Sequence, residues 1–335
     1  MNSILSHTIQ NEGVLPLLVR MLQTNTINPP GNELPLAAWI CKDLKSCGIE
    51  ASVIDLGHNR GSVIGRIRGT GERKALVLDG HLDTVPQGDI PWQHDPFSGH
   101  IQDGKIYGRG ASDMKSGVAA MLAAVKAIQK SGLPLKGDLI FCASCDEETD
   151  SLGAVDFFNR GGLQGVGAVV IGEPNSNGIT IAEKGCLWLR ITTCGKTAHG
   201  SLPASGINAI LHMNAILNEL QAYTFTFTPH PLLSAPTMNI SMIQGGVKTN
   251  VVPDKCQLTA DLRTLPGMNS KELIHDIQRL IQKAAAAHPD LKASISILSD
   301  RPPVETAADD YLVTLCQAAA GDVWGWTIQP DGLSG

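Results

Sequence analysis

The stretch Leu76–Pro86 reads LVLDGHLDTVP, an apolar run that changes abruptly into polar residues. The run predicts a strand over Lys74–Asp79, and His81 and Asp83, two positions apart, then lie on one face at its carboxyl end. In an open α/β sheet, ligands bind at this edge. Imidazole is a ligand of zinc, and a nearby carboxylate can fix its tautomer. Taken alone, the two side chains also fit an ordinary surface loop.

Helices and strands alternate around this strand. A Pro- and Gly-rich loop, Thr84–Gly110, follows it, and the next helix is predicted to begin at the cap Ser112 and to close at Gly132. The alternation predicts an α/β fold in which helices flank a mostly parallel sheet. The predicted helices are Val14–Thr24, Asn32–Cys47, Ser112–Lys130 and Ser151–Arg160. The other predicted strands are Glu50–Leu56, Ser62–Arg68, Asp138–Ser144 and Ala168–Gly172.

A second pattern begins near Lys184, where the order becomes βαββαβ, that of the ferredoxin-like unit. The linker Arg301–Pro303 and a helix over Ala307–Ala319 follow it. We therefore predict a larger α/β domain, residues 1–184 and 299–335, into which a smaller domain, residues 185–298, is inserted. The elements predicted in the smaller domain are strand Cys186–Thr193, helix Ser205–Gln221, strands Thr237–Gln244 and Lys255–Arg263, helix Ser270–Ala287 and strand Leu291–Leu298.

Length and composition agree with two folded domains. The 335 residues are 43% hydrophobic and 17% charged, with a net charge of −6, which argues against a nucleic-acid-binding surface. The longest apolar stretches are shorter than a membrane-spanning helix requires, and the N-terminus shows no secretory signal. The eight cysteines lack tight repeated spacing, so we expect free thiols and a cytoplasmic location.

Three further segments place carboxylates where a predicted strand ends or a helix begins. Asp113 lies at the start of the long helix, Glu147 and Glu148 follow one strand, and Glu173 follows another. Adjacent glutamates at a strand end point in different directions, so one can hold a metal while the other reaches a bound water. Each acid alone is more often a solvated loop charge. Their recurrence at one edge of one sheet favours a shared site.

Two competing motifs are weaker. The glycine-rich turn at Gly108–Gly110 suggests a dinucleotide-binding loop, but it follows a long loop instead of a strand and lacks the third spaced glycine. Cys142 and Cys145 form a CxxC, but no second cysteine pair has zinc spacing. We interpret the two cysteines as small buried residues.

The sequence resembles the co-catalytic zinc metallopeptidase and deacylase family. This family includes acetylornithine deacetylase, succinyl-diaminopimelate desuccinylase, aminoacylase and glutamate carboxypeptidase. The resemblance covers the chain from about residue 14 onward and implies a phosphorylase/hydrolase-like catalytic domain with an inserted lid and dimerisation domain. The segments that carry it are GHLDTVP (Gly80–Pro86), YGRGASDMKSG (Tyr107–Gly117), CDEET (Cys145–Thr149), GEP (Gly172–Pro174), GKTAHGS (Gly195–Ser201) and GGVKTNVVP (Gly245–Pro253).

The resemblance implies two divalent metal ions that share one carboxylate. Asp113 matches the bridging carboxylate, and the peptide bond between Asp113 and Met114 matches one that is cis in the family. His81 and Glu173 match the other ligands of one metal, and Glu148 matches a ligand of the second. Zinc is the first candidate, with cobalt and manganese as alternatives.

The remaining roles are implied in the same way. Asp83 matches the carboxylate that orients the histidine, and Glu147 matches the general base. His199 matches a lid histidine that stabilises the oxyanion, usually across a dimer interface. Asn250 and Arg263 match lid residues that contact substrate, and Arg263 is suited to hold a carboxylate.

The function that the resemblance implies is removal of an acyl group from an N-acyl amino acid by metal-activated water, in a homodimer joined through the lid. The alternatives are a dipeptidase or glutamate-type carboxypeptidase, a non-catalytic homologue that binds an amino-acid derivative, and a nucleotide-binding oxidoreductase. The retained base Glu147 argues against the non-catalytic homologue. No nucleic-acid or membrane partner is expected.

The family completes its second metal site with a histidine after a glycine-rich loop near the C-terminus. This sequence ends at Pro330–Gly335, which resembles the beginning of that loop, and none of the other histidines is an obvious replacement. We therefore expect a shortened chain with one tightly bound metal, a weak or empty second site and low or absent turnover.

Overall fold

The computed structural model describes residues 13–175 and 178–333. The chain divides into two compact units, with the boundary between residues 176 and 177. The return of residues 299–335 to the first domain, and the limits of the inserted domain at residues 185 and 298, stay predictions.

The first unit alternates helices and strands, as predicted. Its helices are α1 (Val14–Leu22), α2 (Leu34–Ser46), α3 (Lys115–Ser131) and α4 (Leu152–Asn159). Its strands are β1 (Glu50–Gly57), β2 (Arg60–Ile67), β3 (Ala75–His81), β4 (His100–Gln102), β5 (Lys105–Tyr107), β6 (Leu139–Ser144) and β7 (Val166–Ile171). The β4–β5 hairpin lies in the segment predicted as irregular. Its turn is formed by Asp103 and Gly104, which both have positive φ, and Asp-Gly is a typical signal of a two-residue hairpin turn.

Five of these strands form one sheet in the order β1-β2-β6-β3-β7. The pairings of β3 with β6 and with β7 are parallel, whereas β1–β2 and β2–β6 are antiparallel. The α/β class is confirmed, but the sheet is mixed instead of mostly parallel. The physical reason is the two-residue turn His58–Asn59, with φ of 51° and 64°, since so short a connection can join only antiparallel strands.

Both faces of this sheet are covered by helices. Phe141 of β6 is fully buried in a cluster with Leu22, Ile40 and Leu122 of the first three helices. Its neighbour Ile140 points to the opposite face, where it belongs to a smaller cluster that includes residues of α4 and β7. The strand ends therefore emerge from a sheet that is packed on both sides.

A close approach between α3 and β7 depends on Gly117. A Cβ atom on this residue would lie 2.0 Å from the carbonyl oxygen of Gly172, so only glycine fits. The approach brings the N-terminal end of α3, which Asp113 precedes, to the end of β7, which Glu173 follows.

The start of α3 differs from the prediction. The helix begins at Lys115 after Met114, and no side chain caps it, so the predicted cap at Ser112 is wrong. The chain makes a further turn over residues 111–114 before the helical hydrogen bonds begin, and the N–H of Lys115 donates to the carbonyl of Gly110. The predicted end is confirmed, because Gly132 takes the left-handed conformation at φ 66°.

The second unit contains the predicted ferredoxin-like order. Its elements are β8 (Ile179–Glu183), β9 (Gly185–Cys194), α5 (Ala209–Gln221), β10 (Thr237–Gly245), β11 (Lys255–Thr264), α6 (Ser270–Ala287), β12 (Lys292–Arg301), β13 (Val304–Glu305), α7 (Tyr311–Trp324) and β14 (Pro330–Leu333). Strands β9, β10, β11 and β12 form an antiparallel sheet in the order β10-β11-β9-β12, and α5 and α6 pack on its apolar face. A second sheet has the order β13-β8-β14.

Two boundaries of the second unit differ from the prediction. The strand β12 extends to Arg301, so the predicted linker is reduced to two prolines before β13. The helix α7 begins at Tyr311 instead of Ala307, because the Asp310 side chain accepts the N–H of Leu312 and caps the helix there.

The structure also bears on membrane-spanning helices and on the cysteines. Across residues 13–175 and 178–333, no helix is both long enough and apolar enough to cross a membrane. The eight cysteines are all free thiols, and Cys142 and Cys145 are buried as predicted.

Candidate metal centre

His81, the last residue of β3, is the centre of a cluster of carboxylates. Its ring is 2% exposed, so the alternative of an ordinary surface loop is wrong. The Nδ1 atom lies 2.9 Å from the backbone carbonyl oxygen of Asp83, which can only accept a hydrogen bond. In the neutral ring, Nδ1 therefore carries the hydrogen and Nε2 keeps its lone pair. This is the tautomer in which Nε2 can bind a metal.

Two carboxylates from separate elements reach this nitrogen. Nε2 lies 3.0 Å from Oδ1 of Asp113 and 3.3 Å from Oε1 of Glu173. Asp113 comes from the turn before α3, and its peptide bond to Met114 is cis, as the resemblance implied. Both carboxylates are partly exposed, so the cluster opens toward solvent.

Glu148 is the third carboxylate of the cluster. One ligand atom each from His81, Asp113 and Glu148 lie within 4.8 Å of one another. Burial raises the pKa of Glu148, and the Asp113 carboxylate raises it further. Glu147 precedes Glu148 in the loop that follows β6 and is half-buried. Four predicted residues from four segments are thus brought together, and Glu147 is the sequence neighbour of one of them, Glu148.

Asp83 is a buried carboxylate that holds His81 and the glutamate loop in place. It is 0% exposed, and its carboxylate accepts the backbone N–H groups of Glu147 and Glu148, each at 3.1 Å. Its Oδ1 lies 3.5 Å from Nδ1 of His81. Burial alone would raise the pKa of Asp83, but His81 and the other hydrogen-bond donors lower it overall. An ionised Asp83 therefore fixes both the imidazole and the loop that carries the glutamates.

The electrostatics of the cluster favour a cation. Burial would lower the pKa of His81, but the carboxylates of Asp113, Asp83 and Glu173 raise it to about 12. Positive charge is thus strongly stabilised beside Nε2. One imidazole among several carboxylate oxygens is a donor set that zinc, cobalt and manganese accept. These residues fit a divalent metal ion.

Comparison with known proteins decides the family. The model of peptidase family M20/M25/M40 matches residues 77–335, which include every residue of the cluster. The chain belongs to this family. As an M20-family member it is a hydrolase of amide bonds.

Three proteins illustrate the similarity. The chain is 34% identical to an acetylornithine deacetylase of Vibrio parahaemolyticus over 299 residues, 86% of this chain and 76% of that protein. It is 27% identical to a probable succinyl-diaminopimelate desuccinylase of Staphylococcus epidermidis over 331 residues, 91% of this chain and 80% of that protein. Among solved structures, a dinuclear metal-binding M20 peptidase of Bacillus subtilis matches with a TM-score of 0.69 at 18% identity, covering 98% of this chain and 84% of that one.

In the second unit of this M20-family chain, two of the predicted lid residues lie on paired loops. His199 forms an isolated antiparallel bridge with Val251, and the N–H of Gly200 donates to the carbonyl oxygen of Asn250 at 2.8 Å. His199 and Asn250 are both exposed. The Nδ1 of His199 lies 2.7 Å from Oγ of Ser201, which leaves its Nε2 facing away from that contact. We call residues 198–201 and 250–252 the lid loops.

Arg263 lies on β11, at the end of the β10-β11-β9-β12 sheet that is remote from the lid loops. The lid loops adjoin the Lys255 end of β11, where Lys255 pairs with Cys194. Arg263 is eight positions further along that strand, about 26 Å away at the usual strand rise. Its Nε donates to the Asp261 carboxylate at 3.0 Å, and its side chain is half-buried. The structure therefore does not bring Arg263 together with His199 and Asn250.

Several buried polar residues that support the cluster were missed in the sequence. Asn28, Arg60 and Asp146 form hydrogen bonds directly behind Asp83. The signals that could have found them are the turn sequence Asn28-Pro29-Pro30-Gly31 and the arginine that begins β2 directly after the two-residue turn. Behind Arg60, burial raises the pKa of Glu33 to about 6, although Arg60 partly opposes this.

Proposed function

We propose that the chain is a metal-dependent deacylase that removes the acyl group from an N-acyl amino acid. The observation that carries the proposal is the cluster in which Asp113 and Glu173 lie at Nε2 of His81 and Glu148 lies close to His81 and Asp113. The curated relatives at 27% and 34% identity are named as a desuccinylase and a deacetylase, which supports an acyl substrate. The similarity to peptidase structures lies below 25% identity and concerns the fold alone.

The residues proposed to hold metal are those of the cluster. His81, Asp113 and Glu173 would hold one divalent ion, and Asp113 with Glu148 would contribute to a second, with zinc as the first candidate. When bound, such ions act as Lewis acids that polarise an amide carbonyl and make water more acidic. Asp83 orients His81 through the contact at Nδ1, which leaves Nε2 directed at the carboxylates.

Glu147 is proposed as the general base. Its backbone N–H is held by Asp83, so its position is set by the same carboxylate that orients His81. The Glu147 carboxylate would take a proton from water and return it to the leaving amine. His199 is proposed to donate a hydrogen bond to the developing oxyanion. Asn250 would contact the substrate, and Arg263 would hold its carboxylate through two parallel hydrogen bonds.

The placement of the lid residues supports a homodimer. An extended dipeptide spans about 7 Å, far less than the length of β11 that separates Arg263 from the lid loops. One copy of this sheet therefore cannot present all three residues to a single small substrate. We propose that His199 and Asn250 of one copy and Arg263 of the other serve the same substrate. The free thiols agree with a cytoplasmic location.

A substrate panel tests the proposal. Acetyl-ornithine, succinyl-diaminopimelate and several dipeptides are assayed side by side with the 335-residue chain, before and after treatment with a chelator. We expect slow hydrolysis of at least one acyl amino acid, in line with an incomplete second metal site, with loss of this activity on chelation and its return with Zn²⁺ or Co²⁺. Equal rates before and after metal removal would contradict a metal-dependent reaction.

The panel also separates the alternatives. Hydrolysis of dipeptides alone would identify a dipeptidase that uses the same site. Near-zero turnover by both the parent and Glu147→Ala, with the same ligand affinity, would identify a binding protein. The family match excludes the nucleotide-binding oxidoreductase.

A further inference from the structure

Asn28 lies between Asp83 and Asp146, the two buried carboxylates behind the cluster. It follows α1 in a turn, and it is 3% exposed. Its backbone N–H donates to the carbonyl of Thr84 at 2.8 Å, and the N–H of Thr84 donates to the carbonyl of Thr26 at 3.1 Å. The segment 26–28 thus runs beside residues 82–84, directly behind the carboxyl end of β3.

The side chain of Asn28 connects two buried carboxylates. Its Nδ2 group donates to Oδ2 of Asp83 and to Oδ1 of Asp146, both at 2.8 Å. Its Oδ1 accepts from Nη2 of Arg60, which also pairs with Asp146 through Nη1. A primary amide offers two donor hydrogens and an acceptor on one planar group. It can therefore satisfy both carboxylates and the guanidinium at once.

Each of the two carboxylates holds a different part of the cluster. Asp83 contacts the ring of His81 and binds the backbone of Glu147 and Glu148. Asp146 stands at the turn that leads from β6 into the two glutamates, with φ at 71°, and its Oδ2 accepts the N–H of Leu152 at 3.4 Å. Asn28 therefore connects Asp83, which contacts the imidazole, to Asp146, which lies at the start of the glutamate loop.

We propose that Asn28 is a positioning residue of the metal centre, which aligns His81 with the Glu147–Glu148 loop by bridging Asp83 and Asp146. This inference rests on the proposed function, because it presumes that the cluster binds a divalent ion. Asn28 touches none of the donor atoms itself and acts through its two carboxylate partners. Residues that orient metal ligands from behind commonly change metal affinity or activity 10- to 100-fold when replaced.

The alternative is that Asn28 only secures the turn in which it lies. The turn has hydrogen bonds of its own that do not involve this side chain, from the N–H of Asn28 to Thr84 and from the N–H of Gly31 to Ile27 at 2.9 Å. Thr26 offers a matched comparison two residues away. It is 0% exposed, and its Oγ1 donates to the carbonyl of Leu82 at 2.7 Å without touching either carboxylate.

The experiment compares Asn28→Leu with Thr26→Val by titration with Co²⁺ alone. Leucine keeps the approximate shape of asparagine but removes its donors and acceptor, and valine does the same for threonine. The measurements are the Co²⁺ dissociation constant by chelator competition, the visible absorption spectrum of bound Co²⁺ and the denaturation midpoint of the metal-free chain. We expect Asn28→Leu to weaken Co²⁺ binding about 10- to 100-fold and to change the spectrum. We expect Thr26→Val to lower the denaturation midpoint while it keeps the parent's affinity and spectrum.

The outcomes distinguish positioning from simple support of the fold. Parental Co²⁺ affinity and spectrum in Asn28→Leu would overturn the proposal, as would equal losses of affinity in both variants. If Asn28→Leu does not fold, Asn28→Ala replaces it, since water can enter the vacated space and solvate the carboxylates. Failure of both to fold would make Asn28 a purely structural residue and would refute the proposal.

The same measurements separate this proposal from the proposed function. A parent chain that binds Co²⁺ but hydrolyses no compound of the substrate panel would contradict the deacylase. The effect of Asn28→Leu on Co²⁺ binding would still decide the positioning role. A parent chain that binds no Co²⁺ would contradict both.

Discussion

The carboxyl edge of β3, β6 and β7 and the lid loops present their functional residues in opposite ways. At the sheet edge, His81 and Asp83 are almost fully buried, and their hydrogen bonds hold one another and the backbone of the glutamates. In the second unit, His199 and Asn250 are exposed and Arg263 lies at the far end of the sheet. One region is preorganised within the chain, whereas the other leaves His199 and Asn250 open to solvent.

The difference follows from what each chemistry requires. A metal centre needs ligands held in place before the ion arrives, because a preformed ligand arrangement determines its geometry and affinity. Residues that contact a substrate must stay open to it and can come from a part that closes or associates. Substitution of the proposed ligands in the first region should therefore change metal binding, and substitutions in the second region should change turnover or substrate affinity without changing the metal content.

The largest expected effect is that of His81→Ala. Removal of the single imidazole at the centre of the described cluster should abolish tight metal binding and, with it, hydrolysis. Metal analysis after dialysis measures the first effect, and the substrate assay measures the second. The matched control is His94→Ala, a histidine of the loop before Asp113, which should keep the parental metal content. Tight metal binding by His81→Ala would place the metal elsewhere.

Glu147→Gln should lower kcat by about 10²- to 10⁴-fold, because the amide cannot accept the proton from water. Its metal content should equal that of the parent, in contrast to Glu148→Gln, which should weaken metal binding. The two adjacent substitutions thus separate base from ligand within one loop. Reversed effects on metal content would mean that the roles of Glu147 and Glu148 are exchanged.

His199→Ala should lower kcat by about 10²- to 10³-fold, the usual effect of losing one oxyanion donor. The metal content should not change, since His199 belongs to the other unit. His275→Ala, which replaces an exposed histidine on α6, is the control and should behave like the parent. Loss of metal in His199→Ala would contradict the assignment of metal binding to the sheet edge alone.

Arg263→Lys should have the smallest effect, an increase in KM of about tenfold with little change in kcat. Lysine keeps the charge but cannot make the two parallel hydrogen bonds of a guanidinium to a carboxylate. Steady-state kinetics with the best substrate of the panel measures this, and Arg190→Lys on neighbouring β9 is the control. An unchanged KM would show that Arg263 serves only its pairing with Asp261.

Much of the fold could be predicted from patterns along the chain. The βαββαβ order of the second unit and the end of α3 at Gly132 were correct, because apolar periodicity and glycine caps are local signals. The mostly parallel sheet was wrong because strand direction depends on the turn His58–Asn59, a signal of two residues. The cap at Ser112 was wrong because a further turn intervenes before the helix.

The sequence by itself determined the donor types of the metal centre and the family. The histidine and the carboxylates at predicted strand ends indicate the kind of metal ligands that are available, and six motifs in a fixed order indicate the family. Only the tertiary structure decided that Asn28 joins Asp83 to Asp146 and that Arg263 is remote from His199. The physical reason is that side-chain identity is written along the chain, whereas distances between segments arise from the packing of helices on the sheet and from the register of its strands.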